Sequence, residues 1–385
     1  MRRYRFAVLL LLLLLSACRP EMAARSTQVP STPVPVLASP SLASLTFTPL
    51  SPTPLPPVEI SPTPVPTAVP TSTPTPLPRT SLVFTGVIVP ARCVQAAIDA
   101  RRDPDYPYEE VREILSSADL AVGTLNATIS DYPPRTGCIP TYVLVGGSEN
   151  AGALSRAGFD VMSVATNHIK NCGPANCGNR AFFDTLENLR RAGTEPVGAG
   201  RDLEEAMQPV VVEANGTRFG FVSLGQLEPL AFAGTDTPGI AVLDEGSLRR
   251  AIAAARQVSD VVIAMPHWGP EDSPQPNASQ RALAQVAVDA GADLVVGNHT
   301  HVVQALEQID GVNVFYGLGN FVFDQNWALD HQQGVILRVN FEGEQVVGYE
   351  LISTHVDFDG TVHLAGPQES GEILQRVEDA SRNLR

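Results

Sequence analysis

Five side chains in this 385-residue sequence follow directly on short apolar runs and could do chemistry together: Asn167, His168, His267, His299 and His301. A neutral imidazole offers a lone pair to borderline divalent metals, and an Asn carbonyl adds a neutral oxygen donor. Phe159–Val164 leads into Thr166-Asn167-His168, Asp260–Met265 leads into His267, and Asp293–Val296 leads into Asn298-His299-Thr300-His301. In α/β sheets, ligands sit beyond the carboxyl ends of the strands, so residues distant in sequence can meet at one edge. The pattern predicts a His-rich metal site there. His331, His355 and His363 follow no such strand and read as surface or satisfied core residues.

The elements that must carry these residues follow an α/β rhythm. Strands are predicted at Ser81–Pro90, Asp119–Gly123, Phe159–Val164, Arg218–Leu224, Asp260–Met265, Asp293–Val296, Val312–Tyr316 and Gly334–Phe341. Helical spacing marks Ala181–Ala192, with Phe182, Leu186 and Leu189 on one face and Gly193 beyond its end. Gly246–Gln257 and Ser279–Ala290 are two more helices. A polar helix begins at Glu369 and is expected to fray, so the folded unit is bounded at 81–376 with a tail at 377–385. The 44% apolar content is enough for a real core. The net charge of −15, with Lys170 the single lysine, argues against nucleic acid as a partner, because phosphate backbones reward clustered cations.

Two segments lie outside that unit. Arg2, Arg3 and Arg5 precede an apolar run, Phe6–Leu15, that is too short for the roughly 20 residues a membrane span needs. A basic start, a short apolar stretch and small residues before a cut read as a secretory signal over residues 1–18. Its end, Leu15-Ser16-Ala17-Cys18, resembles a bacterial lipobox, in which Cys18 is lipidated and holds the chain to the outer face of the cell membrane. The alternatives are an ordinary signal peptide or a short uncleaved anchor. Residues 19–80 hold over half of the 33 prolines, in repeats such as Ser61-Pro62-Thr63-Pro64, with almost no charge. Such a chain buries nothing and is expected to be a disordered, semi-extended tether, reaching over about 100 Å when extended.

Cysteine usage fits an exported chain. Beyond Cys18, the even set Cys93, Cys138, Cys172 and Cys177 favours disulfides. Cys172 and Cys177 flank a short loop after Asn167-His168 and are expected to pair, leaving Cys93 with Cys138. A four-Cys zinc site is the alternative, though Cys93 and Cys138 do not form a close second pair.

Four blocks resemble the bacterial capsule-synthesis CapA family: Gly158-Phe159-Asp160-Val161 through Ala165-Thr166-Asn167-His168, Pro266-His267-Trp268-Gly269-Pro270-Glu271, Ala290 through Gln304, and Phe315 through Asp324. The resemblance implies a role in making poly-γ-glutamate or capsular polymer. It also implies a calcineurin-like metallophosphoesterase fold, an α/β fold of two packed β-sheets flanked by helices. That superfamily binds two metals through Asp, Asn and His. In the family's first motif, similar to Gly-Asp-x-Met-x-x-Arg, this chain has Val87 where the Asp belongs and keeps Arg92. In the second, similar to Gly-Asn-Leu-Glu, Thr124 replaces the Asn and Asn126 replaces the Glu. The resemblance leaves Asn167, His267 and His299 for one metal position and His301 as a remnant of the other. It gives His168 the place of a general acid or transition-state stabiliser.

Neutral ligands cannot compensate two divalent charges. The expected cofactor is therefore one divalent transition metal (Mn, Zn or Fe) or none. Three functions compete. The first is a lipid-anchored, weakly or non-hydrolytic protein assisting synthesis, export or anchoring of an anionic surface polymer, its partners being that polymer or its synthesis machinery. The second is an active metal-dependent phosphoesterase outside the membrane. The third is a surface-displayed polymer-binding module. The missing carboxylates weigh against the second, and the retained histidines against the third.

Overall fold

The computed structural model describes residues 77–170, 177 and 179–384. The expected signal segment with Cys18, the tether through residue 76, and Cys172 lie outside the described residues. None of the described helices is long and apolar enough to cross a membrane.

The principal elements run β1 (Arg79–Ile88), α1 (Arg92–Arg101), β2 (Leu120–Leu125), α2 (Glu149–Ala157), β3 (Phe159–Ser163), α3 (Arg180–Ala192) and β4 (Glu195–Val197). They continue through β5 (Val210–Ala214), β6 (Thr217–Gly225), α4 (Glu245–Val258), β7 (Val261–His267), α5 (Ala278–Asp289), β8 (Leu294–Val296) and β9 (Leu306–Ile309). The last are β10 (Val312–Phe315), β11 (Asn320–Val322), β12 (Gln333–Glu342), β13 (Gln345–Val356), β14 (Val362–Leu364) and α6 (Pro367–Arg382).

One sheet of eight strands has the order β14-β13-β12-β1-β2-β3-β4, with β11 also pairing β1. A six-stranded sheet has the order β9-β10-β8-β7-β6-β5. The strands that lead to the chemistry are parallel within each sheet: β1, β2 and β3 in the first, β6, β7 and β8 in the second.

These strands read as unbroken apolar runs because both faces are covered. Leu82, Phe84, Leu120, Val122 and Val161 of the first sheet meet Phe219, Phe221, Val261, Ile263, Met265, Leu294 and Val296 of the second in one buried cluster. The alternate residues face helices. Val83, Ala121 and Met162 share a cluster with Ile98, Leu154, Phe182 and Leu186. Val222, Val262, Ala264 and Val295 share another with Leu248, Ile252, Leu283 and Ala287. The result is two packed sheets flanked by helices, as the family resemblance implied. Each such fully buried large side chain contributes about 1.5–3 kcal/mol.

Two boundaries move. The folded unit begins at Arg79, because Arg79 and Thr80 already pair with Glu342 and Phe341 of β12. The segment expected to fray from residue 377 is helical to Arg382, and Val377 and Ala380 are buried. Its Ser381 hydroxyl accepts from the Leu306 amide (2.9 Å), which fixes α6 to β9. The four-Cys zinc alternative is excluded, since Cys93 and Cys138 form a disulfide. Cys177 is also disulfide-bonded.

Candidate functional site

The inter-sheet layer turns polar at its last rungs. Ser163 and Ser223, from opposite sheets, hydrogen-bond through their hydroxyls (2.7 Å). Asn298 donates from Nδ2 to the Thr124 hydroxyl (2.8 Å), tying the end of β8 to the end of β2. Gly297, just before it, admits no side chain. A Cβ there would lie 2.3 Å from Trp268 Nε1 and 2.4 Å from the Tyr316 carbonyl. Trp268 is wholly buried and donates to that carbonyl (2.9 Å), so indole and backbone close together beneath the site.

At this edge the structure brings together the residues singled out by their strand-end positions. Thr166 donates its hydroxyl to the Leu125 carbonyl (2.9 Å), folding the Asn167-His168 turn over β2. Asn167 Oδ1 and His267 Nε2 lie 3.0 Å apart, and His267 Nε2 and His299 Nδ1 lie 3.2 Å apart. The His168 amide donates to Asn126 Oδ1 (3.1 Å). His299 and His301 both have positive φ, 105° and 60°; the second lies in the left-handed region that His, Asn and Asp visit more than other side chains, and the first lies outside it. Strain of this kind is held only where the surroundings impose it, and it clusters at functional sites.

Burial keeps the imidazoles neutral. Desolvation lowers His267 well below the ordinary histidine range, with His299, His301 and His168 adding repulsion. Desolvation first, then His301 and His168, takes His299 to about 3. Desolvation holds His301 at about 4, and desolvation with the Arg92 charge holds His168 at about 4. Neutral rings present lone pairs, as metal ligands must. Two ring nitrogens 3.2 Å apart require a proton or a cation between them. The spacings of 3.0 and 3.2 Å also lie near the edge of a tetrahedral ligand shell, about 3.3–3.4 Å for bonds of about 2.0–2.1 Å. Several buried polar atoms here have no partner: Asn126 Nδ2, His168 Nδ1, His267 Nδ1 and Asn298 Oδ1. Orphans gathered in one place point to a missing ion or water. The donor set therefore fits a divalent metal bound through nitrogen and neutral oxygen.

Arg92 has another role than free anion capture. Its guanidinium pairs with Asp324 through Nε and Nη2, and Nη1 donates to the Thr141 carbonyl (2.9 Å). Both side chains are nearly buried, at 11% and 4% exposure. Thr141 precedes Tyr142, whose ring lies parallel to His168 with centroids 6.5 Å apart. The Cys93–Cys138 disulfide ties the same segment to the start of α1. Breaking it by Cys138→Ser should cost roughly 2–4 kcal/mol and speed amide exchange at residues 138–142. Urea unfolding and hydrogen exchange check this. Unchanged exchange would mean that Arg92 alone orders the segment.

Reading the residues one by one missed Glu271, Asn320 and Asp324. Glu271 Oε1 lies 4.0 Å from His299 Nε2 and 3.9 Å from His301 Nε2. Asn320 Oδ1 accepts from His301 Nδ1 (2.8 Å). The available signal was position: Glu271 stands four residues beyond His267, and Asn320 and Asp324 lie in the Phe315–Asp324 block. Val87, in the Asp position of the family motif, is fully buried in an apolar cluster with Ile88, Phe321 and Val322. His331 is buried with its Nε2 on Asp272 (2.6 Å), while His355 and His363 pair with Glu369 and Glu110.

A family model described as "Bacterial capsule synthesis protein PGA_cap" matches residues 81–325. The chain belongs to that family. It is similar to the PGA biosynthesis protein CapA of Bacillus subtilis, 29% identical over 258 residues, covering 66% of each chain. It is 30% identical over 259 residues to the capsule biosynthesis protein CapA of Bacillus anthracis, covering 65% of this chain and 61% of that one. It is 27% identical over 263 residues to a probable polyglutamine synthesis accessory protein of Mycobacterium tuberculosis, covering 64% of this chain and 67% of that one. The chain thus spans less than two thirds of the length of the two Bacillus relatives, 66% and 61%. Within the family match lie all the residues that gather at this edge: Asn126, Asn167, His168, His267, Glu271, His299, His301, Asn320 and Asp324.

Proposed function

We propose that this chain is an extracytoplasmic accessory protein, lipid-anchored at Cys18, that assists synthesis, export or anchoring of an anionic surface polymer, poly-γ-glutamate or a capsule. The observation that carries the reading is the family match across residues 81–325, which takes in the whole histidine site. The names of the Bacillus and Mycobacterium relatives point to the same process. The lipobox-like Leu15-Ser16-Ala17-Cys18 and the proline-rich segment would let the folded unit work at a distance from the membrane.

The site is weakly or non-hydrolytic in this reading. Asn167, His267 and His299 would hold one divalent metal. When bound, that ion supplies positive charge and a Lewis-acidic contact for an anionic oxygen. The chain's own groups do the rest. His168, neutral, can donate or accept one hydrogen bond to a bound oxygen. Tyr142 covers it. Arg92, already neutralised by Asp324, orders the covering segment. The phosphoesterase reading is favoured by one observation, the Glu271 carboxylate beside His299 and His301, which keeps an anion at the site.

The test is genetic. Deleting the gene in its host should lower surface polymer, and the wild-type copy should restore it. Labelled palmitate should enter the wild-type chain and not Cys18→Ser, and the Cys18→Ser form should appear in the medium without restoring polymer. A deletion that leaves surface polymer unchanged sinks the accessory role. Equal labelling of both forms sinks the lipid anchor.

A further inference from the structure

We infer that Glu271 is a metal ligand in this chain, meeting His301 Nε2 at the divalent ion of this site and supplying the anionic donor that Val87 and Asn126 do not. The inference rests on the reading that the site holds a metal, and it names the carboxylate that reading lacks.

The first support is a tautomer fixed by its neighbours. Asn320 Nδ2 donates to the Gln325 side-chain carbonyl (2.9 Å) and to the His331 backbone carbonyl (2.9 Å). Both partners only accept, so the other amide atom is the oxygen. Asn320 Oδ1 can only accept, and the ring atom opposite it, His301 Nδ1, must carry the proton (2.8 Å). The lone pair of His301 is thereby placed on Nε2, the nitrogen 3.9 Å from Glu271. Holding a ligand imidazole through its other nitrogen is the usual way a protein orients it toward a metal.

The second support is the carboxylate's company. Glu271 has no Arg or Lys partner among the described residues; its near neighbours of opposite type are the two neutral imidazoles. An anion placed against the His301 Nε2 lone pair is unfavourable until a cation sits between them. Glu271, His299 and His301 offer ligand atoms all within 4.8 Å of one another. The separation of 3.9 Å between Glu271 Oε1 and His301 Nε2 exceeds a tetrahedral edge of about 3.3–3.5 Å by a few tenths of an ångström. The Glu271 side chain is half exposed, at 49%, so a small rotation closes that gap.

The third support is charge. Arg92 is spent on Asp324, so it offers no free guanidinium to an anionic ligand. A divalent ion with one carboxylate leaves a net positive charge at the mouth of the site. Recognition of an anionic polymer would then pass through the ion.

The experiment is a Co2+ titration of the purified full-length chain after chelation, followed by the visible absorption of the ion and by elemental analysis. Wild type should bind one Co2+. Glu271→Gln, which keeps shape and removes charge, should weaken Co2+ at least about tenfold and change its spectrum. His301→Gln should do the same. Unaltered affinity and spectrum in Glu271→Gln, with binding lost in His267→Ala, would overturn the inference and place the ion with Asn167, His267 and His299 alone. No Co2+ bound by wild type would overturn any metal reading of the site, while the accessory role would still stand or fall on surface polymer. Because Glu271 is exposed on a loop, its variant is not expected to disturb the fold, and an unchanged urea midpoint verifies that.

Discussion

Asp324→Ala should destabilise the folded unit by about 3–5 kcal/mol, because it strands the Arg92 guanidinium at a largely buried position without its counter-charge. Asp324 accepts from Arg92 Nε at 3.1 and 3.2 Å, from Nη2, and from the Cys93 amide at 3.1 Å. With exposures of 11% and 4%, the pair gains little from solvent when broken. The pair itself need not be worth that much. Arg92→Met combined with Asp324→Leu should recover most of the loss, since an apolar pair of similar volume carries no buried charge. The double variant would still lack the Arg92 bond to Thr141, so amide exchange in residues 138–142 should stay fast while stability returns. Urea unfolding of the three proteins measures the first effect and hydrogen exchange the second. A loss below about 1 kcal/mol in Asp324→Ala would mean that water reaches the guanidinium, as at surface pairs.

The strands that carry chemistry were legible because they are buried on both faces. β7 reads Val-Val-Ile-Ala-Met before His267, and its length and ending give it away. β13 was not legible. Its residues are mostly half-exposed or exposed, so Gln345–Val356 shows no apolar run, and its place is set by ten paired positions along β12. Helix α1 has Ala91 at its N-cap position, with no side-chain cap and no acidic first turn, which removes the usual start signal. Fraying at the C-terminus was expected from a polar sequence, but three small or branched residues, Ile373, Val377 and Ala380, suffice to dock α6. At the site, the order of strands delivers Asn167, His267, His299 and His301 to one edge, as their spacing suggested. Glu271 and Asp324 were obscure for a different reason. Glu271 follows its strand by four residues and Asp324 by two, and only the loop path decides whether such a carboxylate turns back toward the site.

Restoring the family carboxylates through Val87→Asp and Asn126→Glu should make folding depend on metal. Val87 is paired with Thr124 on β2 and with Asn320 on β11. Thr124 accepts from Asn298 and Asn320 holds His301, so position 87 lies between two residues that already touch the site. Its side chain is wholly buried among apolar neighbours. A carboxylate placed there loses its hydration, as does one at Asn126, which is also fully buried. Two unpaired buried anions should cost several kcal/mol and bring the protein close to unfolding in chelator. A divalent ion binds only the folded form of such a site. It should raise stability by an amount that grows with the ratio of free ion to its dissociation constant, about 2.7 kcal/mol at a hundredfold excess. The expected result is a low thermal midpoint with EDTA, a large recovery with Mn2+, and more bound metal per chain than in wild type. Wild type, with neutral groups at both positions, should move less between the same two conditions. Equal midpoints of the double variant with and without Mn2+ would show that the new carboxylates reach water rather than the histidines. Val87 would then be a core residue with no bearing on the metal, and the anionic ligand would have to come from Glu271 or from the bound polymer itself.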